Sequence, residues 1–439
     1  MLTKLRYWWQ EKRSSFWFVP TVMVLDAVVL ATILIVMDTN LDQEIVERWP
    51  LLFGSGAAGA RGLLTTVASS MITVAGLVFS ITILALSQTS SQYTSRVIRN
   101  FMRNRVNQSV LGVFVGIFAY CLVVLRTIRG GDEGMFVPAL AVLVGLLFAF
   151  VGIGVLIFFI HHISMSIQAS SIIAGAAQET MLTVDKLFPE RLDDNDDENR
   201  TDALLTSLVH RPWTAISAWK TGYIESVNMS TLFAIAQEQR VILRMDRGVG
   251  EFIIQGTPLV SVMNLINPSD EMTARLNSIY IISNQRTVDQ DASFGIRQIV
   301  DIAMKALSPG INDTTTAIMC VDYLAAIMVQ LATRRIEPPQ FLENGELRVI
   351  ARGPSFESLL SESFDQVRQH GASNVAIMLR MLGALQTIAG QTTNSGRCRH
   401  VENKVQCLAD LAESSIEFPH DREKFQSRLT QVRESFVRC

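Results

Sequence analysis

The chain lacks the compact spacings by which catalysis is usually read from a sequence. It has no Walker loop, no Gly-x-Ser-x-Gly, no His-Glu-x-x-His and no paired-cysteine metal motif. No catalytic residue, cofactor or resident metal is assigned, and an enzyme is not expected. Charge is scarce too. Only 18% of the 439 residues are charged against 49% hydrophobic, the mean hydropathy is +0.28, and the apolar residues crowd into the first third. That distribution describes an integral membrane protein with a water-soluble remainder. A formal net charge of -3 offers no basic excess, which argues against bulk nucleic-acid binding. Five cysteines make an odd count, and the four after Cys121 are scattered through polar sequence, so no disulfide framework is expected. Cys398, His400 and Cys407 are too unevenly spaced for a zinc site. No small-residue cleavage site follows the first apolar block. The basic start with Lys4, Arg6, Lys12, Arg13 and the pair Trp8 and Trp9 therefore reads as the anchor of an uncleaved first span.

What the chain does contain is organised around residues 63–107. An apolar run over 63–86 is long enough to cross a bilayer at ~1.5 Å per residue. It leads into Arg96, Arg99, Arg103 and Arg105 with no acid among them. Arginine-rich short loops stay cytoplasmic, so the direction of this segment is fixed. Within the run, Thr66, Ser69, Thr73, Gly76, Ser80 and Ser87 recur at helical spacing and share one face.

Three more spans follow the same reasoning, at 17–37, 110–125 and 136–160. The first contains Asp26. The loop after it begins with Asp38, Asp42, Glu44 and Glu47, which suits the outside. Gly145, Gly152 and Gly154 in the fourth span offer close helix contact. Four spans leave both termini in the cytoplasm.

The expected fold is a mainly α membrane protein: four transmembrane helices, then a cytosolic α+β region with a small barrel-sandwich-like β part followed by a helical bundle. The expected domains are a transmembrane domain with a helical extension over 1–187, an acidic linker over 188–202, a β-rich domain over 203–268 and a helical domain over 269–439. In the β part, strands are expected at 222–227 and 240–245, a short helix at 230–239, and a hairpin-like pair over 250–262. The half-motif is that of barrel-sandwich carriers, without a modifiable lysine at the turn. Helices are expected at 271–282, 294–307, 315–334, 356–370, 372–390 and 401–437, with an extended piece at 346–353.

Three blocks, Ser69-Ser-Met-Ile-Thr-Val-Ala-Gly-Leu-Val-Phe-Ser-Ile-Thr82, Ser95-Arg-Val-Ile-Arg-Asn-Phe101 and Ala306-Leu-Ser-Pro-Gly-Ile-Asn-Asp-Thr-Thr-Thr-Ala317, resemble the DUF2254 family of predicted bacterial membrane proteins. The likeness extends over most of the chain, roughly residues 26–388, and the third block is the most specific. Thr94 or Ser95, and Thr314, stand where related sequences carry proline. The resemblance implies a bacterial inner-membrane protein with four spans and a cytosolic domain, and it implies no established activity.

Four features carry functional expectations, each beside a plainer one. The hydroxyl stripe lines a water-filled path in a homo-oligomer, or it packs between helices. Arg96, Arg99, Arg103 and Arg105 ring the cytosolic mouth of that path, or they anchor to lipid headgroups. Asp26 is a cation or proton ligand, or an acid close to the interface. Paired His161 and His162 point to different faces and suit an interfacial position better than a metal. In the soluble part, Arg286, Asp289, Asp291, Arg297, Asn312, Asp313 and Thr314 form a dense polar block. It either holds an anionic ligand at a helix start or is a helix-loop-helix junction with Arg297 and Asp301 paired. The partners expected are the lipid bilayer, a second copy of the chain and a small inorganic ion.

Overall fold

The computed structural model describes residues 17–39, 56–92, 105–129, 136–190, 211–263, 265, 267–336, 340–343 and 346–436. Arg96, Arg99 and Arg103, the loop acids Asp42, Glu44 and Glu47, and most of the linker at 188–202 lie outside them. The chain divides into two compact units, Met1–Ser171 and Ile172–Cys439.

The first unit contains four long apolar helices: α1 (Phe18–Asp38), α2 (Ala57–Gln92), α3 (Arg105–Thr127) and α4 (Ala139–Ser166). Each contains one of the expected spans or nearly all of it. The 36 residues of α2 reach ~54 Å at ~1.5 Å per residue, well beyond a hydrocarbon layer of ~30 Å. Its surplus includes the polar end from Ser87 to Gln92.

Packing is centred on α3, which touches the other three helices. Glycines set the close approaches. A Cβ at Gly112 would lie 2.5 Å from Met23 Sδ and 3.2 Å from Pro20 Cα, and one at Gly116 would lie 3.4 Å from the Met23 carbonyl oxygen. This Gly-x-x-x-Gly pair lets α1 lie directly on α3. Gly145 and Gly152 of α4 do the same for Leu64 and Met71 of α2, whereas Gly154 faces open space. Successive contacts run Pro20 to Ala27 along Gly112 to Gly116, so α1 and α3 are parallel. They run Leu64 to Met71 along Gly145 to Gly152, so α2 and α4 are parallel too. Arg61 near the start of α2 donates to the Ile128 carbonyl just past the end of α3 at 2.8 Å, which sets those two antiparallel. At the end of α1, the Asp38 carboxylate accepts from the backbone N–H of Leu140 (3.0 Å) and Ala141 (3.1 Å), satisfying orphan donors in the first turn of α4. The Tyr120 hydroxyl of α3 donates to the Ala141 carbonyl at 2.8 Å.

The second unit is α+β. Most of α5 (Ala169–Leu187) belongs to it, and β1 (Trp213–Ser217), β2 (Gly222–Val227), α6 (Met229–Gln239), β3 (Ile242–Met245), β4 (Phe252–Ile253) and β5 (Pro258–Met263) follow. Next come α7 (Asp270–Ser278), β6 (Tyr280–Ser283), α8 (Ala292–Ala306), α9 (Thr314–Ala332), β7 (Gln340–Glu343) and β8 (Glu346–Ile350), then α10 (Phe356–His370), α11 (Val375–Ala389), α12 (Ser395–Ser415) and α13 (Pro419–Phe436). The strands form two sheets, ordered β1-β5-β3-β8-β7 and β4-β2-β6.

Several expectations are corrected here. The pair over 250–262 is not a hairpin: β4 joins β2 in one sheet, while β5 joins β1 and β3 in the other. Gly256, at φ +85, turns the chain from one sheet to the other. The helix expected at 271–282 stops at Ser278, and the run Tyr-Ile-Ile-Ser that follows pairs with β2 as β6. Two adjacent isoleucines favour a strand over a further helical turn. The extended piece at 346–353 supplies β8, parallel to β3, so the long-range sheet draws a strand from the helical half. The final helix is broken at 416–418, ahead of Pro419, into α12 and α13.

By length and composition five helices could cross a membrane, the fifth being α9. It packs against α8, α10 and α11. Cys320, Val321, Leu324, Ile327, Met328 and Leu331 are fully buried, and Asp322 pairs with Arg380 of α11. The buried Arg397 guanidinium donates to the carbonyls of Leu331 (3.1 Å), Ala332 (3.0 Å) and Arg334 (2.8 Å) at its C-terminal end. α5 is tied to the same end, with Asp185 accepting from Gln330 at 2.7 Å and from Arg334 at 2.5 Å. Among the described cysteines, Cys121 and Cys320 are free and buried and Cys407 is free and exposed. Cys398 is disulfide-bonded, which a reading of the spacing alone did not anticipate.

Candidate functional site

The hydroxyl stripe of α2 lies wholly on the outside of the four-helix unit. Leu64, Val67, Ala68, Met71, Ala75, Val78 and Ala85 bury one side of the helix. At ~100° per residue, Thr66, Ser69, Thr73, Gly76, Ser80 and Ser87 centre about 180° away from that side, and all six are exposed. A Cβ at Gly76 would meet nothing within 4 Å. The stripe therefore does not serve packing inside its own subunit; the small residues that do are Gly112, Gly116, Gly145 and Gly152. Four of its hydroxyls are satisfied locally. Thr66 donates to Gly62 O, Ser69 to Thr65 O, Thr73 to Ser69 O and Ser80 to Gly76 O, at 2.8–2.9 Å. This back-bonding removes the donor from competition and leaves oxygen lone pairs facing outward. Such a surface can meet lipid at small cost, or coordinate a polar group through oxygen.

Asp26 is also exposed, on the outward side of α1 with Val22, Leu25, Val29 and Ile33. It sits roughly 12 Å along the helix from Phe18 at ~1.5 Å per residue, inside the span and away from both ends. Arg105 opens α3 and is exposed; it is the one member of the basic group within the described residues. His162 stacks on Phe158 at 5.8 Å between ring centroids, and His161 is exposed.

Several buried polar side chains escaped the sequence reading, Asn107 among them. Asn107, 1% exposed near the start of α3, has both Nδ2 and Oδ1 buried with no partner among the described residues. A single amide at the edge of an apolar run carries no spacing signal, which is why pattern reading passes over it.

In the second unit the polar block resolves into three separate devices. Arg286 and Asp291 form a two-point ion pair, Nε to Oδ2 at 2.8 Å and Nη2 to Oδ1 at 3.1 Å. Asp291 also caps α8 by accepting from Phe294 N at 3.0 Å, and the guanidinium lies over the Phe294 ring. The pair rests against bare backbone at Gly250, φ +85, where a Cβ would come within 2.4 Å of Asp291 Oδ2. Arg297 pairs with Asp301 one turn on, at 2.9 Å. Asn312 takes the left-handed conformation, φ 50, and Asp313 caps α9 by accepting from the Thr316 N–H (3.0 Å) and hydroxyl (2.6 Å). Those bonds from Thr316 hold the Asp313 carboxyl below its ordinary pKa. Thr314 accepts from Asn374, itself the cap of α11, at 2.7 Å. Asp289 is exposed. Every cation in the block except Lys305, which lies on α8, is already paired, so the arrangement is that of a junction fixing the starts of three helices.

The model of the DUF2254 family, described as a predicted membrane protein, matches residues 13–387. Among curated proteins, the chain is 31% identical over 422 residues to an uncharacterized protein of Mycobacterium bovis and equally to one of Mycobacterium tuberculosis. Those matches cover 93% of this chain and 78% of each relative. No solved structure matches.

Proposed function

The chain belongs to the DUF2254 family of predicted membrane proteins, and from that premise we propose that it is an oligomeric channel or transporter for a small inorganic ion, with the second unit as a cytosolic regulatory domain. One observation carries the reading: the six-residue polar stripe of α2 points straight away from its own bundle. An inert anchor has no need for a hydroxyl-lined outer face. Four helices whose shared interior is filled by Leu64, Met71, Phe114, Ile117 and Tyr120 enclose no path of their own, so the route runs between copies along the α2 faces.

In this reading α1 to α4 cross the bacterial inner membrane and α9 is the apolar core of the second unit. Both termini are cytoplasmic, in keeping with the positive charge before the first span and after the second. Arg105 belongs to the cytosolic mouth. Reconstitution of the full chain into liposomes with an ion-flux readout tests the proposal. Flux is expected, and Thr73→Leu or Ser80→Leu should lower it roughly tenfold, the effect of a barrier raised by about 1.4 kcal/mol. Absence of flux from the parent chain would sink it.

A second reading, a membrane-tethered ligand- or protein-binding module without transport, is favoured by the separate core of the second unit. It expects stripe substitutions to change nothing beyond stability.

A further inference from the structure

We infer that copies of the chain associate head to tail in the membrane, with Asp26 on α1 of one copy lying against Ser69 and Thr73 on α2 of the next. This rests on the reading that the α2 stripe lies between copies, and it names what meets it.

Four observations converge. The first is burial. Asp26 lies well inside its helix and is exposed in the single chain. A carboxyl left facing hydrocarbon is costly even on the most lenient scale, so something polar should cover it.

The second is depth. Ala27, next to Asp26, meets Gly116 of α3; the adjacent Ile117 meets Gly152 of α4; and Gly152 is also covered by Met71 of α2. That chain of contacts places Asp26 and Met71 at one level of the bundle. Ser69 and Thr73 flank Met71 by two residues, roughly 3 Å along the axis on either side. The carboxyl and the middle of the stripe are at matching height.

The third is placement. α1 and α2 each pack on both α3 and α4, and they make no comparable contact with each other. They stand at opposite ends of the bundle's cross-section. Asp26 therefore cannot meet the stripe of its own chain, while a rotated copy brings one end against the other. A contact between two different surfaces of the same chain is heterologous, and it closes into a ring when the rotation divides a full turn.

The fourth is chemistry. The hydroxyl hydrogens of Ser69 and Thr73 go to carbonyls of their own helix, which leaves their oxygens as the accessible polar atoms of that face. The stripe bears no charge of either sign. Gly76, one turn beyond Thr73, has open space above it and admits a neighbouring backbone closely.

Cysteine pairs in the full chain, in its native membrane, test the contact. The combined variant Asp26→Cys with Thr73→Cys should give an oxidative ladder of dimers and larger species, above the background of the parent chain. Each single substitution should give none above that background. No ladder from the combined variant, or dimers from Asp26→Cys alone, would overturn the head-to-tail arrangement. Size in mild detergent supplies a readout free of added cysteines: Asp26→Asn should preserve the oligomer and Asp26→Leu should dissociate it. An Asp26→Leu chain as large as the parent means that the acid faces lipid, and the inference fails. Flux separates this from the functional reading, because a ladder without ion flux keeps the contact and removes conduction, and flux without a ladder does the reverse.

Discussion

At the scale of single residues, the polar block of the second unit is explained by backbone geometry. Gly250 sits at φ +85 beneath the Arg286–Asp291 pair. Gly250→Ala would force a side chain into the left-handed region, at about 1–2 kcal/mol, and would also push the Asp291 carboxylate off Arg286. A fall in the thermal midpoint of the second unit larger than that from Gly256→Ala, where the φ is the same but the space is open, checks the prediction. Asp313 gives a pH effect of definite sign. Its pKa is lowered in the folded protein by Thr316, so its contribution is present above the ordinary carboxylate value, about 4, and is lost as pH falls through the lower folded value. Asp313→Ala should cost about 1 kcal/mol at neutral pH, as for other helix caps. Asp313→Asn should keep the cap but remove the loss on the acid side, as read by unfolding midpoints against pH. Much of this was legible in the sequence, since Asn-Asp-Thr-Thr-Thr after Pro-Gly reads as a helix start and Arg297 with Asp301 as a pair. The Arg286–Asp291 pair was not, because its support comes from Gly250, forty-one residues earlier in the chain and on another element.

At the scale of elements, periodicity placed the four apolar helices and the stripe upon α2, but it could not say which side of α2 faces the bundle. Both sides are rich in small residues, and only the positions of Gly112, Gly116, Gly145 and Gly152 settle the matter. They favour the apolar side because Leu64 and Met71 fill the hollows above Gly145 and Gly152. The consequence can be measured. Gly112→Leu should destabilise the bundle by about 1–3 kcal/mol through overpacking, because the site is filled by Met23 and Pro20. Gly154→Leu should be close to neutral, its surroundings being open. Thermal aggregation of the two variants in detergent distinguishes them. The β part shows the opposite limit of sequence reading. Single strands expected at 222–227 and 240–245 were visible from local pattern, the second beginning two residues later at Ile242, but their partners were not. β4 and β5 are separated by a tight turn that normally makes a hairpin, and here each pairs with strands distant in the chain.

At the scale of the whole molecule, the open quantity is the number of crossings, and the chain carries its own reporter for it. α9 is apolar enough to span a membrane, yet Asp322 on it is paired with Arg380 and its last carbonyls are held by the buried Arg397. Arg380 is the one charge of α11, an apolar helix of 15 residues, and Arg397 belongs to α12, which carries charges of both signs; both bonds would have to be surrendered for α9 to enter lipid. On the proposed orientation, with the N-terminus in the cytoplasm, four crossings would leave everything after α4 on the cytoplasmic side, whereas five would carry everything after α9 outside. Cys407 lies after α9, free and exposed on α12, while Cys121 and Cys320 are buried. A membrane-impermeant maleimide should therefore leave Cys407 unmodified in intact cells and modify it in inverted vesicles. Labelling in intact cells would mean an odd number of crossings before Cys407, and with it a cytosolic domain lacking the helix at its own centre.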